Sequence, residues 1–257
     1  MTHNDFLKAQ YRDSNNLNAR VQLHEKFSIS KHRWQIWVFD QIQSNKKFSI
    51  LELGCGTGEL WLQNKSRINK EWNITLSDFS EGMVQKAQEK LAGIKNIEYK
   101  VFGVESIPFP AKFFDVIVAN HVLFHAENIE NAIVEVARAL KDDGIFYTAT
   151  NGEGHMKEIF DIIFETTGKD LTKASCSFTA ENGMEILSKE FSRVFVRSYP
   201  DGLEVTEMES LLAYIMSMEY FFSEKEKAEI RKNLEQRFLR NGMVKITKET
   251  VLFIAQK

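Results

Sequence analysis

Cysteine, proline and long apolar runs are all scarce in this chain of 257 residues. The two cysteines, Cys55 and Cys176, lie far apart, which excludes a disulfide framework and a cysteine-rich metal site. That usage suits a reducing compartment, so a cytoplasmic location is expected. Pro108, Pro110 and Pro200 are the only prolines, and no Ser/Gly-rich linker, repeat or low-complexity segment divides the chain. The longest apolar stretch, Phe113 to Asn120, is interrupted by Asp115 and is too short to cross a bilayer. Met1-Thr2-His3-Asn4-Asp5 lacks the basic-then-apolar order of a signal peptide. A dominant charge is missing too. Thirty-three basic against thirty-six acidic residues leave a net charge of −3, which offers no basic field for a nucleic-acid backbone. Twenty phenylalanines and a 43% hydrophobic content, in contrast, imply a substantial buried core.

Along the chain, a polar start gives way to a helical stripe over Ser30–Gln43 carried by Trp34, Trp37 and Val38. From residue 47, short apolar runs alternate with amphipathic stretches. Strands are expected at 48–53, 72–76, 97–102, 114–119 and 145–150, with helices at 59–68, 80–91 and 127–140. Continuous β-branched runs suit strands buried on both faces, and their alternation with helices implies a parallel sheet. Further on, helices are expected at 154–166, 179–189, 206–222 and 223–241, and strands at 191–199 and 249–256. The reading is one domain over 1–257: an N-terminal helical lid (1–45), a core (46–150), and the remaining sheet (151–257) with a helical cap near 204–242.

The sharpest local feature is Ile50-Leu51-Glu52-Leu53-Gly54-Cys55-Gly56-Thr57-Gly58-Glu59-Leu60, a buried strand running through a glycine-rich turn into a helix. Glycines at 54, 56 and 58 let the backbone bend sharply and approach a ligand where a Cβ would collide. A dinucleotide fingerprint needs its third glycine at position 59, where this chain has Glu59, an acid that repels a pyrophosphate. Asp78 follows Gly54 by twenty-four positions, near the ~20-residue spacing of a ribose-binding acid. An aspartate there also serves as a helix N-cap. In register with the glycine turn, the ribose role is the stronger reading.

Residues 47–150 resemble the class I S-adenosylmethionine-dependent methyltransferase family, of small-molecule type. The resemblance is carried by Glu52-Leu53-Gly54-Cys55-Gly56-Thr57-Gly58, Asp78-Phe79-Ser80-Glu81-Gly82-Met83, Glu105-Ser106-Ile107-Pro108-Phe109, Phe114-Asp115-Val116-Ile117-Val118, and Glu135-Val136-Ala137-Arg138-Ala139-Leu140 with Lys141-Asp142-Asp143-Gly144. It implies an α/β fold: a Rossmann-like, doubly wound, mostly parallel seven-stranded sheet with an antiparallel last strand and N- and C-terminal helical caps. It also implies S-adenosyl-L-methionine as cofactor. Gly54, Cys55, Gly56 and Gly58 would receive its methionine part, and Glu52 would steady the loop or the amine. Asp78 would hold the ribose, Phe79 and Met83 the adenine, and Val104 and Glu105 the adenine edge. Asn120 and His121 would stand where cofactor meets acceptor. Gly103 occupies a position where many members have an acid, so any contact there is made by backbone.

His121 and His125 follow a strand's C-terminal end, where open α/β sheets bind ligands. Either acts as a base toward the acceptor, or both cap the next helix or pack behind the cofactor. Tyr11 and Arg20 belong to a polar N-terminal segment that is either a lid or a solvated terminus. As a lid, Tyr11 lies near the sulfonium and Arg20 pairs the cofactor's carboxylate. The expected reaction is in-line methyl transfer to a small, partly apolar or aromatic acceptor by a monomer or homodimer, with no metal, nucleic acid or membrane. The rivals are a nucleic-acid or protein methyltransferase, a non-catalytic S-adenosylmethionine-binding module, and an NAD(P) oxidoreductase.

Overall fold

The change of rhythm at residue 47 marks the entry into a twisted seven-stranded sheet. The computed structural model describes residues 14–42, 47–171 and 177–257. In chain order they form α1 (Ser14–Phe27), α2 (Trp34–Gln41), β1 (Ser49–Leu53), α3 (Glu59–Gln63), β2 (Asn73–Asp78), α4 (Glu81–Lys90) and β3 (Ile97–Val101). Next come β4 (Phe114–Asn120), a 3-10 turn (Leu123–His125), α5 (Ile129–Ala139) and β5 (Leu140–Asn151). The remainder is α6 (Lys157–Thr167), α7 (Gly183–Leu187), β6 (Arg193–Ser198), β7 (Gly202–Val205), α8 (Met208–Met216), a 3-10 turn (Glu219–Phe221), α9 (Glu224–Asn241), β8 (Val244–Thr247) and β9 (Thr250–Gln256).

These elements divide into two compact units. One comprises His32–Glu153, Cys176–Tyr199 and Glu249–Lys257. Its sheet has the order β3-β2-β1-β4-β5-β9-β6, parallel except that β9 runs antiparallel to both β5 and β6. The alternation of side chains along β1 and β4 sends Leu51, Leu53 and Ile117 to one face, against Ala132, Ile133 and Val136 of α5. Ile50, Val116 and Val118 go to the other face, against Val38 of α2, Trp61 of α3 and Ala87 of α4. β1 and β4 therefore present apolar side chains on both faces. The chain order reverses direction at β1, which pairs with β2 on one side and β4 on the other. Leu53 pairs with Ser77 and Glu52 with Val118, so the C-terminal ends of β1, β2 and β4 finish level at this switch point.

The second unit comprises Met1–Lys31, Gly154–Ser175 and Pro200–Lys248. Leu23 and Phe27 of α1, Ile159 and Ile163 of α6, Leu211 and Ile215 of α8, and Ile230 and Leu234 of α9 form its core. A two-stranded antiparallel sheet, β7 with β8, completes it. That pair was not foreseen, because each strand has only four residues and the first begins with Gly202.

Several helices are shorter than their periodicity suggested. The 206–222 stripe breaks after Met216, where Ser217 Oγ donates to the Tyr214 carbonyl at 2.6 Å and satisfies part of the last turn. The 179–189 stretch is helical only over Gly183–Leu187, and the 59–68 stretch only over Glu59–Gln63. Helix α5 stops at Ala139, so that Leu140 already belongs to β5. α9 starts from a full capping box between Ser223 and Glu226 and ends at Gly242 in the left-handed region. No helix among the described residues is long and apolar enough to cross a membrane.

Candidate functional site

Strand β1 runs into Gly54, Gly56 and Gly58, all with left-handed backbone at φ +64°, +53° and +79°. The three glycines differ in what surrounds them. A Cβ on Gly54 would stand 2.3 Å from Val122 Cγ2, and one on Gly58 would stand 2.7 Å from Leu91 Cδ1. A Cβ on Gly56 would meet nothing within 4 Å. Two of the glycines thus permit packing inside the protein, and the third borders open space. The turn is pinned by Cys55 N–H donating to the Ser77 carbonyl and Gly58 N–H to the Cys55 carbonyl, each at 2.9 Å. Burial pushes the Cys55 thiol up, so it stays neutral and is no nucleophile.

Asp78 closes the tip of β2 and is 6% exposed. Its Oδ2 accepts the Gly56 N–H at 3.0 Å and its Oδ1 the Ser80 N–H at 2.9 Å. Ser80, not Asp78, is the N-cap residue of α4. One carboxylate therefore ties the glycine turn to the neighbouring strand end. Burial raises its pKa, and the two backbone bonds act against that shift.

Behind the turn lies Glu52, 3% exposed. Trp61 Nε1 donates to its Oε2 at 2.6 Å, and the Asn120 amide also hydrogen-bonds it. Burial pushes this carboxyl up to about 8, with the nearby Asp78 charge adding to the rise. The Asn120 Oδ1 is enclosed and has no partner among the described residues. Trp61 was not anticipated as part of the site, because nothing in its helical position announces a partner nine residues back on a strand.

The Glu52 carboxyl has a consequence for stability. An ordinary glutamate ionises near 4.5, whereas the folded chain holds this proton up to about pH 8. The folded pKa is the higher one, so folding becomes less favourable as pH rises between those values and levels off above them. Thermal melts of the ligand-free protein from pH 5 to 9 should show this decline, and Glu52→Gln should flatten it. Parallel curves for the two proteins would mean that Glu52 is already ionised.

The remaining predicted residues are distributed as follows. Phe79 is 79% exposed, leaving a ring face available to a planar group, and Met83 is half-buried on α4. Val104 is buried, and Gly103 has open space where its side chain would be. Glu105 Oε1 accepts the Asn128 N–H at 2.8 Å, at the start of α5. His121 follows β4 with a left-handed φ of +57°, uncommon for a residue with a Cβ, and donates its N–H to the Ala149 carbonyl at 3.0 Å. Its ring lies 5.5 Å from that of Trp34 and 6.3 Å from that of Phe124. Trp34 in turn meets Tyr199 edge-on at 5.1 Å. His125 ends the 3-10 turn, its ring 4.3 Å from Phe124. Arg20 belongs to the second unit, and Tyr11 lies outside the described residues.

A methyltransferase domain model matches residues 51–148, the stretch from β1 to β5. The ubiquinone/menaquinone biosynthesis C-methyltransferase UbiE of Shewanella pealeana is 25% identical over 197 residues, 72% of this chain and 74% of that protein. The corresponding enzyme of Francisella tularensis subsp. novicida is 29% identical over 126 residues, covering 48% and 50%. In fold, the chain is similar to phosphoethanolamine N-methyltransferase 2 of Haemonchus contortus, solved with S-adenosyl-L-methionine. That match has a TM-score of 0.62 at 17% identity and covers 100% of this chain and 60% of the other. YcgJ of Bacillus subtilis gives a TM-score of 0.59 at 17% identity over 87% and 97% of the two chains.

The residues at the switch point fit an adenosyl sulfonium ligand. The open side of Gly56 admits it closely, Asp78 still has lone pairs for hydroxyls, and the enclosed Asn120 Oδ1 lacks a donor among the described residues. S-adenosyl-L-methionine, with which the Haemonchus enzyme was solved, is such a ligand. The matched model spans the strands and turns that build this crevice, and over this stretch the chain is similar to the class I S-adenosylmethionine-dependent methyltransferases.

Proposed function

We propose that this methyltransferase acts on a small, partly apolar or aromatic acceptor bound at the C-terminal edge of β4. The bound cofactor supplies an electrophilic methyl on a sulfonium, which an acceptor nucleophile displaces in line. In this reading Asp78 accepts the ribose hydroxyls while keeping the glycine turn closed through Gly56. Phe79 and Met83 cover the adenine, and Val104 and the open backbone at Gly103 border its edge. Glu105 lies beyond that edge, fastened to Asn128. Glu52 faces the positively charged end of the cofactor, whose charge favours the ionised carboxylate that burial disfavours. Cys55 and Gly58 shape the turn through backbone.

The observation that carries this reading is the unfilled space beside Gly56, bordered by the Asp78 carboxylate. The named role of the relatives in C-methylation supports a carbon nucleophile. Methylating such a carbon forms a C–C bond, breaks the methyl–sulfur bond and releases a proton from the same carbon. His121 or His125 takes up that proton. The aromatic surroundings of His121 suit a planar acceptor. Alignment of the reacting atoms supplies roughly 7–11 kcal/mol of the barrier lowering, so the loss of a base should weaken catalysis without abolishing it.

Incubation with isotopically labelled methyl donor and a panel of quinone precursors and other small aromatic metabolites, read by mass spectrometry, tests the reading. Label should appear in one class of acceptor. A protein that binds the donor but labels none of them would be a binding module.

A further inference from the structure

The end of the main sheet remote from the glycine turn carries a cavity that the methyl-transfer reading does not use. The crossover from β3 to β4, residues 102–113, holds no helix and passes over the sheet as a loop. Between this loop and the N-terminal ends of β1, β2 and β3 lies a space of about 390 Å³. Ligand pockets run from roughly 300 to 1,000 Å³, so it suits a small molecule. Ser49 of β1, Asn73 and Thr75 of β2, and Lys95 before β3 line one side, and Phe109 and Phe113 line the other. Ser49 pairs with Asn73 and Leu51 with Thr75, which puts Ser49, Asn73 and Thr75 on the sheet face that α5 packs against. Ser49 precedes Gly54 by five residues, roughly 17 Å of strand, so the cavity is separate from the cofactor crevice. All of it belongs to one unit.

The loop is fixed in place. Arg138 of α5 donates from Nη1 to the Phe109 carbonyl at 2.8 Å and from Nη2 to the Ile107 carbonyl at 2.9 Å. Phe109 and Phe113 stand 5.1 Å apart ring to ring, and Phe113 is 40% exposed. Thr75, in contrast, is 6% exposed, and its hydroxyl has no hydrogen-bond partner among the described residues. A hydroxyl drawn out of water without a partner is costly, and one that borders a cavity points to a group inside it. Nearby carboxylates are already neutralised: Glu98 pairs with Lys100 at 2.8 Å, and Asp115, which accepts the Ser49 N–H, with Lys141 at 2.7 Å. Lys95 has no ion-pair partner among the described residues. Aromatic wall, hydroxyl floor and an unpaired cation suit one kind of ligand. We propose that this cavity is a second binding site, taking a small aromatic acid with its ring against Phe109 and Phe113, a polar group at Thr75 and its carboxylate at Lys95. The site does not depend on the acceptor assigned above.

Titrations with salicylate and indole-3-acetate, followed by ligand-observed NMR with and without S-adenosylhomocysteine, test this. Wild type should bind at least one of the two acids, and S-adenosylhomocysteine should not displace it. Phe113→Ala should weaken that binding about tenfold. Thr75→Val should weaken it about two- to tenfold, the worth of one hydrogen bond. Because that hydroxyl bonds to no described residue, the valine variant should melt at or above the wild-type temperature, which a purely structural threonine would not allow. Lys95→Gln should weaken the acids about two- to fivefold and leave the neutral indole-3-ethanol unchanged. The inference is overturned if neither acid binds wild type, or if S-adenosylhomocysteine displaces both. It is equally overturned if Thr75→Val binds them as wild type does, since the acids then sit elsewhere and water satisfies the hydroxyl. Each of these failures leaves the methyl-transfer reading standing, which falls only if wild type fails to bind S-adenosylhomocysteine. Should Phe113→Ala not fold, Thr75→Val and Lys95→Gln carry the comparison.

Discussion

Replacing Asp78 with alanine should lower the affinity for S-adenosylhomocysteine by about tenfold to a hundredfold, the worth of one charged hydrogen-bonding group at roughly 1.5–3 kcal/mol. The side chain makes two kinds of contribution. Its two oxygens hold the Gly56 and Ser80 N–H groups at 3.0 and 2.9 Å, so that the glycine turn and the start of α4 share one anchor. Its remaining lone pairs face the crevice, where the ribose hydroxyls are proposed to bind. Alanine removes both. Asparagine keeps the shape but offers one oxygen, and its amide nitrogen then opposes one of the two backbone donors. Asp78→Asn should therefore also bind weakly despite its near-identical volume. Calorimetry on the two variants checks this, and an alanine variant with wild-type affinity would defeat the role given to Asp78.

The largest effect on stability should come from Gly54→Ala. A Cβ there would overlap Val122 Cγ2 at 2.3 Å, on a residue whose φ of +64° already disfavours any side chain. The left-handed backbone costs about 1–2 kcal/mol and the overpacking about 1–3 kcal/mol. A total of about 2–5 kcal/mol corresponds to a fall in Tm of roughly 4–20 °C for a chain of this size. The steric share is removable. Adding Val122→Ala clears the obstruction, so the double variant should be less destabilised than the sum of the two single changes. Strict additivity in thermal melts would show that Val122 does not press on the turn.

How far the sequence reveals these features depends on how local their causes are. The strands of the main sheet were readable from runs such as Val116-Ile117-Val118, because a strand buried on both faces needs apolar residues throughout. The glycine turn and Asp78 were readable because chain connectivity places adjacent strand ends side by side at a fixed spacing. The Trp61–Glu52 bond was not, since helix α3 has to fold back over β1 before the two meet. Contacts of long sequence separation were equally hidden. Arg20 lies 197 positions from Ser217, and Trp34 reaches both His121 and Tyr199 from α2. The β7–β8 pair escaped because four residues are too few to display a period. A pattern also overran its element in α8, where apolar residues continue at helical spacing beyond Met216 although the backbone turns at Ser217.

Titrating S-adenosylhomocysteine into Gly56→Ala tests the account at its centre. The new methyl meets no protein atom within 4 Å, so the variant should fold with only the backbone cost of its φ of +53°, about 1–2 kcal/mol. The same methyl would occupy the space assigned to the ligand. We therefore expect a well-folded protein whose affinity has dropped by at least an order of magnitude. If Gly56→Ala binds S-adenosylhomocysteine as tightly as wild type, the ligand does not lie across this turn.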